Sequence, residues 1–245
     1  MASVKLVLEY NGAAFAGWAA QPGQRTVKSV LLQAIETALG TRPELSAAGR
    51  TDAGVHAWAQ VVSFPADVDA SEADELRRSL NGILPQDVAV LEAEPVEAAF
   101  DARRDARSRT YCYRLLARPA PSPFERDRAL WWPRPLDESS LEECSRALVG
   151  THDFTAFTPT RTEHVRFDRE IMRAEWTRDG GVLSFWVEAD TFMRSMVRVL
   201  VGTMLEVGAG RRSAEEFASL LDGAPRSSAG ETAKAHGLYL ASVRY

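Results

Sequence analysis

Apolar and polar positions alternate in "VKLVLEY" (residues 4–10), with Val7 the one apolar residue out of step, a pattern that predicts a strand ending at the Asn11-Gly12 turn signal. After the loop "FAGWAAQPGQR" the period lengthens to that of a helix. Val27, Val30, Leu31, Ala34, Ile35, Ala38 and Leu39 fall on one face, Thr26 is placed to cap the start, and Gly40 to stop it. "VHAWAQVVSF" reads as a strand closed by Pro65, and Ser71 with Asp74 opens a helix over roughly 72–82. "LPQDVAVLEAE" and "RTYCYRLLA" are two further strands.

Periodicity then lapses. "RPAPSPFERDRALWWPRPL" follows no template, and its prolines make it the expected crossing between two halves. Trp131 and Trp132, which lie in it, are expected to be packing residues. A helix near 138–149 precedes "HDFTAFTPT", and the two strands of "REIMRAEWTRDGGVLSFWVEA" meet at Asp179-Gly180-Gly181 as a hairpin. Residues 192–207 are apolar almost all round, which predicts a buried helix. Ser213 with Glu216 forms a capping box for one more helix, and "GLYLASVRY" is a closing strand. The pattern as a whole is α+β and mainly antiparallel. Two similar halves, 1–118 and 137–245, are joined by the Pro-rich segment 119–136.

Composition narrows the class. A chain of 245 residues with 45% hydrophobic content can bury a sizeable core in one large domain or two small ones. The apolar stretch 192–207 is shorter than the roughly 20 residues a bilayer requires and carries Arg194 and Arg198, so no membrane span is expected. The alternating opening decapeptide lacks the basic start and continuous apolar run of a secretory signal. Cys112 and Cys144 have no metal-ligand spacing and fit reduced thiols, so the expected compartment is the cytoplasm.

The net charge of -5 argues by its sum against a polyanionic partner, but the distribution argues the other way. Residues 101–118 carry six arginines against two aspartates, and arginine outnumbers lysine 26 to 3 over the chain. The guanidinium fork binds phosphate bidentately and stacks on bases. Arg107 and Arg109 are the candidate phosphate contacts, although a solvated strand face accounts for this segment as readily.

The candidate chemistry lies in "AGRTDAGVHA" (residues 47–56), where Gly49 and Gly54 bracket Arg50 and Asp52 just before a strand. A guanidinium two residues away favours the charged form of a carboxylate, so Asp52 is expected to be ionised at neutral pH. It is then suited to nucleophilic or electrostatic work without a helper base, and the glycines let a main chain approach a ligand closely. Arg198, on the apolar 192–207 stretch, requires an acidic partner if buried. Asp52 is one candidate and an ordinary structural salt bridge another, while Arg194 can snorkel to solvent. Tyr111 and Tyr113 share one strand face, so that either or both can be core residues or a platform on which an unpaired base stacks. His56 has too few companions for a metal site and reads as a satisfied strand histidine.

"GRTDAGVHA" followed by a strand resembles the signature of the TruA family of tRNA pseudouridine synthases. The resemblance continues through "YNGAAFAGWAAQP", "TVKSVLLQAI", "NGILPQDVAV", "FDARRDARSRTYCYRL", "GTHDFTAF", "FMRSMVRVLVGTMLEVGAG" and "AHGLYLASVRY". It implies two ferredoxin-like halves joined into one mainly antiparallel sheet, with helices on one side and a central active-site cleft. It also implies isomerisation of uridine to pseudouridine in the anticodon stem-loop of tRNA, at positions 38, 39 and 40, with no cofactor and no metal, by a homodimer. By the same resemblance Asp52 is the catalytic aspartate and Arg50 helps extrude the nucleotide. Tyr111 stacks on the flipped uracil, Arg198 pairs with Asp52, and Leu238 lines the uracil pocket. The chain departs from the family pattern at Asp101, at Asp190-Thr191, at Val199 and at Lys234, all outside the "GRTD" core. Asp101 puts an anion where a cation is usual and phosphate is expected, which bears on RNA affinity.

Two other classes fit parts of the pattern. A catalytically silent RNA-binding protein would use the arginines alone, and a carboxylate-dependent glycosidase would need a second acid, for which the chain offers no evident candidate.

Overall fold

The computed structural model describes residues 2–162 and 165–245. The chain runs through β1 (Ser3–Tyr10), α1 (Val27–Leu39), β2 (Ser46–Ala47), β3 (His56–Pro65), α2 (Ala70–Ile83) and β4 (Val88–Val96). It continues with β5 (Ser108–Ala117), β6 (Leu130–Trp132), α3 (Glu138–Leu148), β7 (Gly150–Asp153), β8 (Asp168–Asp179) and β9 (Val182–Ala189). The last elements are α4 (Met196–Gly208), α5 (Ala214–Ser219) and β10 (Leu238–Arg244). The fold is α+β with mainly antiparallel pairing; β10 on β3 and β6 on β5 are parallel.

The chain divides into two compact units, Met1–Arg107 with Tyr239–Tyr245, and Ser108–Leu238. The division therefore falls at 107/108 and 238/239 rather than in the Pro-rich segment. The reason is pairing: β5 is zipped to β9 over Arg109 to Leu116, and the Pro-rich segment itself returns β6 onto β5.

In the first unit the order is β4–β1–β3, with β2 on β3, the arrangement of a ferredoxin-like βαββαβ run. Val4, Leu6 and Leu8 of β1 point to a core shared with Val27, Leu31 and Ile35 of α1 and Leu80 of α2. The opposite face carries a smaller cluster of Val7, Ala48, Val61, Phe100, Ala102, Val243 and Tyr245. Helix α1 is bounded as its sequence predicts. The Thr26 hydroxyl accepts from Ser29 N–H, and Gly40, at φ 68°, closes the C-terminus. Helix α2 starts earlier than expected. Asp69, not Ser71, is the cap, because its carboxylate accepts from Ser71 N–H (2.8 Å) and Glu72 N–H (2.9 Å) while Glu72 reaches back to Asp69 N–H (2.8 Å).

The second unit has the order β5–β9–β8–β7. Leu183, Phe185, Val187 and Ala189 alternate inward along β9, and the core is completed by Tyr113, Leu141, Phe154, Phe157, Leu200, Met204 and Phe217. The predicted hairpin is β8–β9. The buried helix begins at Met196 rather than at 192, since Ser195 takes a left-handed conformation (φ 59°) that cannot continue back into it. Arg194 thus precedes the helix and is exposed. Trp131 is 44% exposed on β6, with its indole N–H donating to Arg118 O, and is an edge residue rather than a packing one.

Candidate active site

Asp52 sits half-buried on the loop between β2 and β3, and nearly every residue around it is tied down within the first unit. At the loop's start, Ala48 N–H donates to Val61 O. Gln60 then holds Gly49 from both sides, its Nε2 donating to Gly49 O (2.8 Å) and its Oε1 accepting from Gly49 N–H (3.3 Å). Thr51 is held by side chain and main chain at once. Its hydroxyl lies 2.8 Å from that of Tyr10, and its carbonyl accepts from Trp18 N–H (3.0 Å). Val55 N–H closes a turn onto Asp52 O (3.1 Å), and Gly54, at φ 77°, donates to Phe15 O (3.2 Å).

The cradle for this loop is the segment 12–18, which is itself anchored. The first helical N–H groups of α1, at Val27 and Lys28, donate to Gly17 O and Trp18 O (both 3.1 Å), so the helix's unpaired donors are satisfied by the cradle. Arg25 lies over the Phe15 ring (4.0 Å) and pairs bidentately with Asp87 (2.8 Å each). Two glycines are required by close approach. A Cβ on Gly12 would stand 1.9 Å from Val55 O; one on Gly17 would stand 2.8 Å from Thr51 O and 3.2 Å from the Asp52 carbonyl carbon. Gly12 N–H also donates to His56 Nδ1 (3.0 Å), which leaves the proton of the neutral, buried imidazole on Nε2. His56 and Trp58 both stack on Tyr239 (4.6 and 4.4 Å).

Tyr10 is the hub. Burial pushes its phenol up to about 12, against the opposing effect of hydrogen bonds to Thr51 and Gln60. Tyr10, Thr51 and Gln60 are 4, 7 and 0% exposed, so this polar group of three has almost no access to water. Sequence reading missed all three, together with Gly12, Gly17 and Trp18. The spacing of Gly12 and Gly17 around Phe15 was the available signal.

Arg50 is exposed beside Asp52 in sequence. Arg107 is exposed too, and its N–H donates to Arg244 O (2.8 Å). Asp101 has a local job. Its Oδ1 accepts from Arg103 N–H (2.8 Å), Arg104 N–H (2.9 Å) and the Ser46 hydroxyl (2.8 Å), capping the turn that presents the arginines. Burial alone would raise its carboxyl, but these bonds and the Arg104 charge outweigh that and hold it below the usual range.

In the second unit Tyr111 is buried on β5 with its ring edge-on to Phe192 (5.0 Å). Tyr113 is the more deeply buried of the two. It is fully buried and donates to Lys234 O (2.8 Å), and burial raises its hydroxyl against the opposing charge of Arg198. Arg198 donates from Nε to Ala233 O (2.8 Å) and lies near Tyr113. Arg109 is buried, with Nη1 donating to Asp190 O (2.9 Å). Leu238 is buried at the start of β10. Among the described residues no group of three or more His, Cys, Asp or Glu could hold a metal ion, and no helix is long and apolar enough to cross a membrane.

Comparison with known proteins assigns this architecture to a class. A family model described as tRNA pseudouridine synthase matches residues 6–104 and 144–245, and the chain belongs to that family, whose members are isomerases. Relatives named tRNA pseudouridine synthase A match it over nearly its whole length. The chain is 38% identical over 243 residues to the tRNA pseudouridine synthase A of Geobacillus kaustophilus, covering 99% of this chain and 94% of that one. It is 41% identical over 251 residues to that of Thermus thermophilus (100% and 97%), and 43% identical over 247 residues to that of Frankia casuarinae (99% and 89%). The matched segments include the Asp52 loop and its cradle; Arg107, Arg109 and Tyr111 lie between them.

Proposed function

We propose that this chain isomerises uridine to pseudouridine in the anticodon stem-loop of tRNA, at positions 38, 39 and 40, with Asp52 as the catalytic carboxylate acting on an extruded nucleotide. The observation that carries the proposal is the Asp52 loop. It is a family-matched "GRTDAGVHA" segment whose neighbours are fixed by the main chain and buried hydrogen bonds, while Arg50 beside it is exposed.

The reaction breaks the N1–C1′ bond, turns the uracil, and forms a C5–C1′ bond; N1 gains a proton and C5 loses one. No electrons are gained or lost. One ionised carboxylate can serve by attack on C1′, by attack on C6, or by assisting a glycal intermediate. The target base is stacked within the stem-loop, so it must be unstacked at a cost of a few kcal/mol, and Arg50 takes the role of filling the space it leaves. Stacking by Tyr111, pairing of Arg198 with the catalytic carboxylate, a uracil pocket lined by Leu238, and phosphate contact by Arg107 and Arg109 are parts of the same proposal. So are a homodimeric enzyme and a cytoplasmic site of action.

The test is carbodiimide mapping of pseudouridine on unmodified tRNA incubated with the wild-type protein and with Asp52→Ala. Anticodon-arm pseudouridine made by the first and absent with the second is the expected result. Modification that survives in the variant removes Asp52 from the chemistry, and tRNA binding without modification by either protein favours a silent RNA-binding protein.

A further inference from the structure

We infer that Tyr10 is a positioning residue for the catalytic loop: with Thr51 and Gln60 it forms a buried hydrogen-bonded clamp that sets the place of the Asp52 carboxylate. The inference rests on Asp52 being the catalytic group. Main-chain bonds alone leave the loop a degree of freedom. Gly49 is fixed at one end and Gly54 at the other, and between them the path is set by Thr51, the residue that precedes Asp52. The Thr51 carbonyl is held by Trp18 N–H, which pins the peptide plane, but rotation of the residue about its Cα is stopped by the bond from its hydroxyl to Tyr10.

Tyr10 is suited to that task. It closes β1, a strand paired on both sides through β3 and β4, so its Cα cannot drift. Its hydroxyl meets Gln60 as well as Thr51, which links the start of the loop to its middle through one oxygen. Because all three side chains are sequestered from water, a broken bond in the group leaves partners that water cannot reach, and the clamp is correspondingly stiff. The phenol stays neutral at any physiological pH, is buried, and spends its hydroxyl on Thr51 and Gln60, so the contribution inferred for it is placement and not proton transfer.

The test is single-turnover modification of a tRNA transcript, with tRNA affinity measured in parallel, for Tyr10→Phe, Thr51→Val, Thr51→Ser, the double variant Tyr10→Phe/Thr51→Val, and Asp52→Asn. Tyr10→Phe and Thr51→Val are expected to slow the chemical step roughly tenfold to a hundredfold, the range for small misplacements of a reacting group, with tRNA affinity unchanged. Thr51→Ser, which keeps the hydroxyl, should restore most of the rate, and the double variant should be no slower than the slower single one, since the Tyr10–Thr51 bond is already lost in either. Wild-type rates in Tyr10→Phe and Thr51→Val beside an inactive Asp52→Asn overturn the clamp and leave the role of Asp52 standing. An active Asp52→Asn overturns that role instead. Parallel losses of rate, affinity and thermal stability in all three single clamp variants, Thr51→Ser included, make the group a structural one and also overturn the clamp.

Discussion

Replacing Gly17 by alanine separates the two things that the cradle glycine does. Gly17 has φ 96°, where an L side chain is strained, and a Cβ there would lie 2.8 Å from Thr51 O, 3.1 Å from Ala53 N and 3.2 Å from the Asp52 carbonyl carbon. The conformational part costs about 1–2 kcal/mol. The steric part cannot be relieved by a side-chain rotation because all three neighbours are main chain; overpacking of that kind costs about 1–3 kcal/mol more. Together, about 2–5 kcal/mol corresponds to a fall in Tm of roughly 4–20 °C for a chain of this size. Gly40→Ala is the control. It has a similar positive φ, 68°, but nothing within 4 Å of a new Cβ, so it loses the conformational part only. Activity is read as tritium release from tRNA labelled at uridine C5, the proton lost when the new carbon–carbon bond forms, at a temperature well below both melting points. Gly17→Ala is expected to lose at least about tenfold in turnover, because the loop that yields is the one carrying Asp52, and Gly40→Ala to keep wild-type turnover. Equal turnover in the two variants would refute the coupling between cradle and carboxylate, and equal Tm losses would refute the close approach.

Close approach and charge have measurable effects elsewhere in the molecule as well. Gly202→Ala sets a Cβ 1.7 Å from Glu231 O and forces α4 away from the segment 231–233; a loss of about 3 kcal/mol or more is expected by chemical denaturation, and a midpoint within error of wild type would contradict it. Asp101→Asn keeps the turn's acceptor and removes its charge. The folded-state carboxyl is held below its ordinary value, so the stability due to that charge is present above the ordinary carboxylate pKa of about 4 and lost as pH falls through the folded value. The Tm gap between wild type and variant should therefore shrink from about pH 6 to about pH 3, and a gap that widens on acidification would contradict the assignment.

Much of the local structure was legible from pattern. The bounds of α1 were readable because Thr26 and Gly40 act on their own backbone neighbourhood, and the β8–β9 hairpin because Gly180-Gly181 suits a tight turn. Errors arose where two local signals competed or where a partner lay far along the chain. Asp69 outcompeted Ser71 as the cap of α2 because its carboxylate reaches two N–H groups at once. Strand β6 was invisible because three residues carry no period, and only pairing with β5 makes them a strand.

The sequence by itself determined the class of chemistry, because motifs such as "GRTDAGVHA" are matters of residue type and order, which are properties of the chain, and it made Asp52 the candidate for the central group. It also determined that Tyr111 and Tyr113 share a strand face, since alternation is a backbone property. What each tyrosine packs and bonds with was decided by tertiary structure, where both are buried, Tyr113 finds Lys234 O, 121 residues away, and Tyr111 meets Phe192. The same holds for Asp101, whose place in a turn with Ser46 makes it a cap and not a misplaced phosphate ligand. Most of all it holds for the clamp. Tyr10, Thr51 and Gln60 are unremarkable strand and loop residues until β1 and β3 pair, and burial then turns three ordinary polar side chains into a connected group that bonds with itself and with the adjoining main chain.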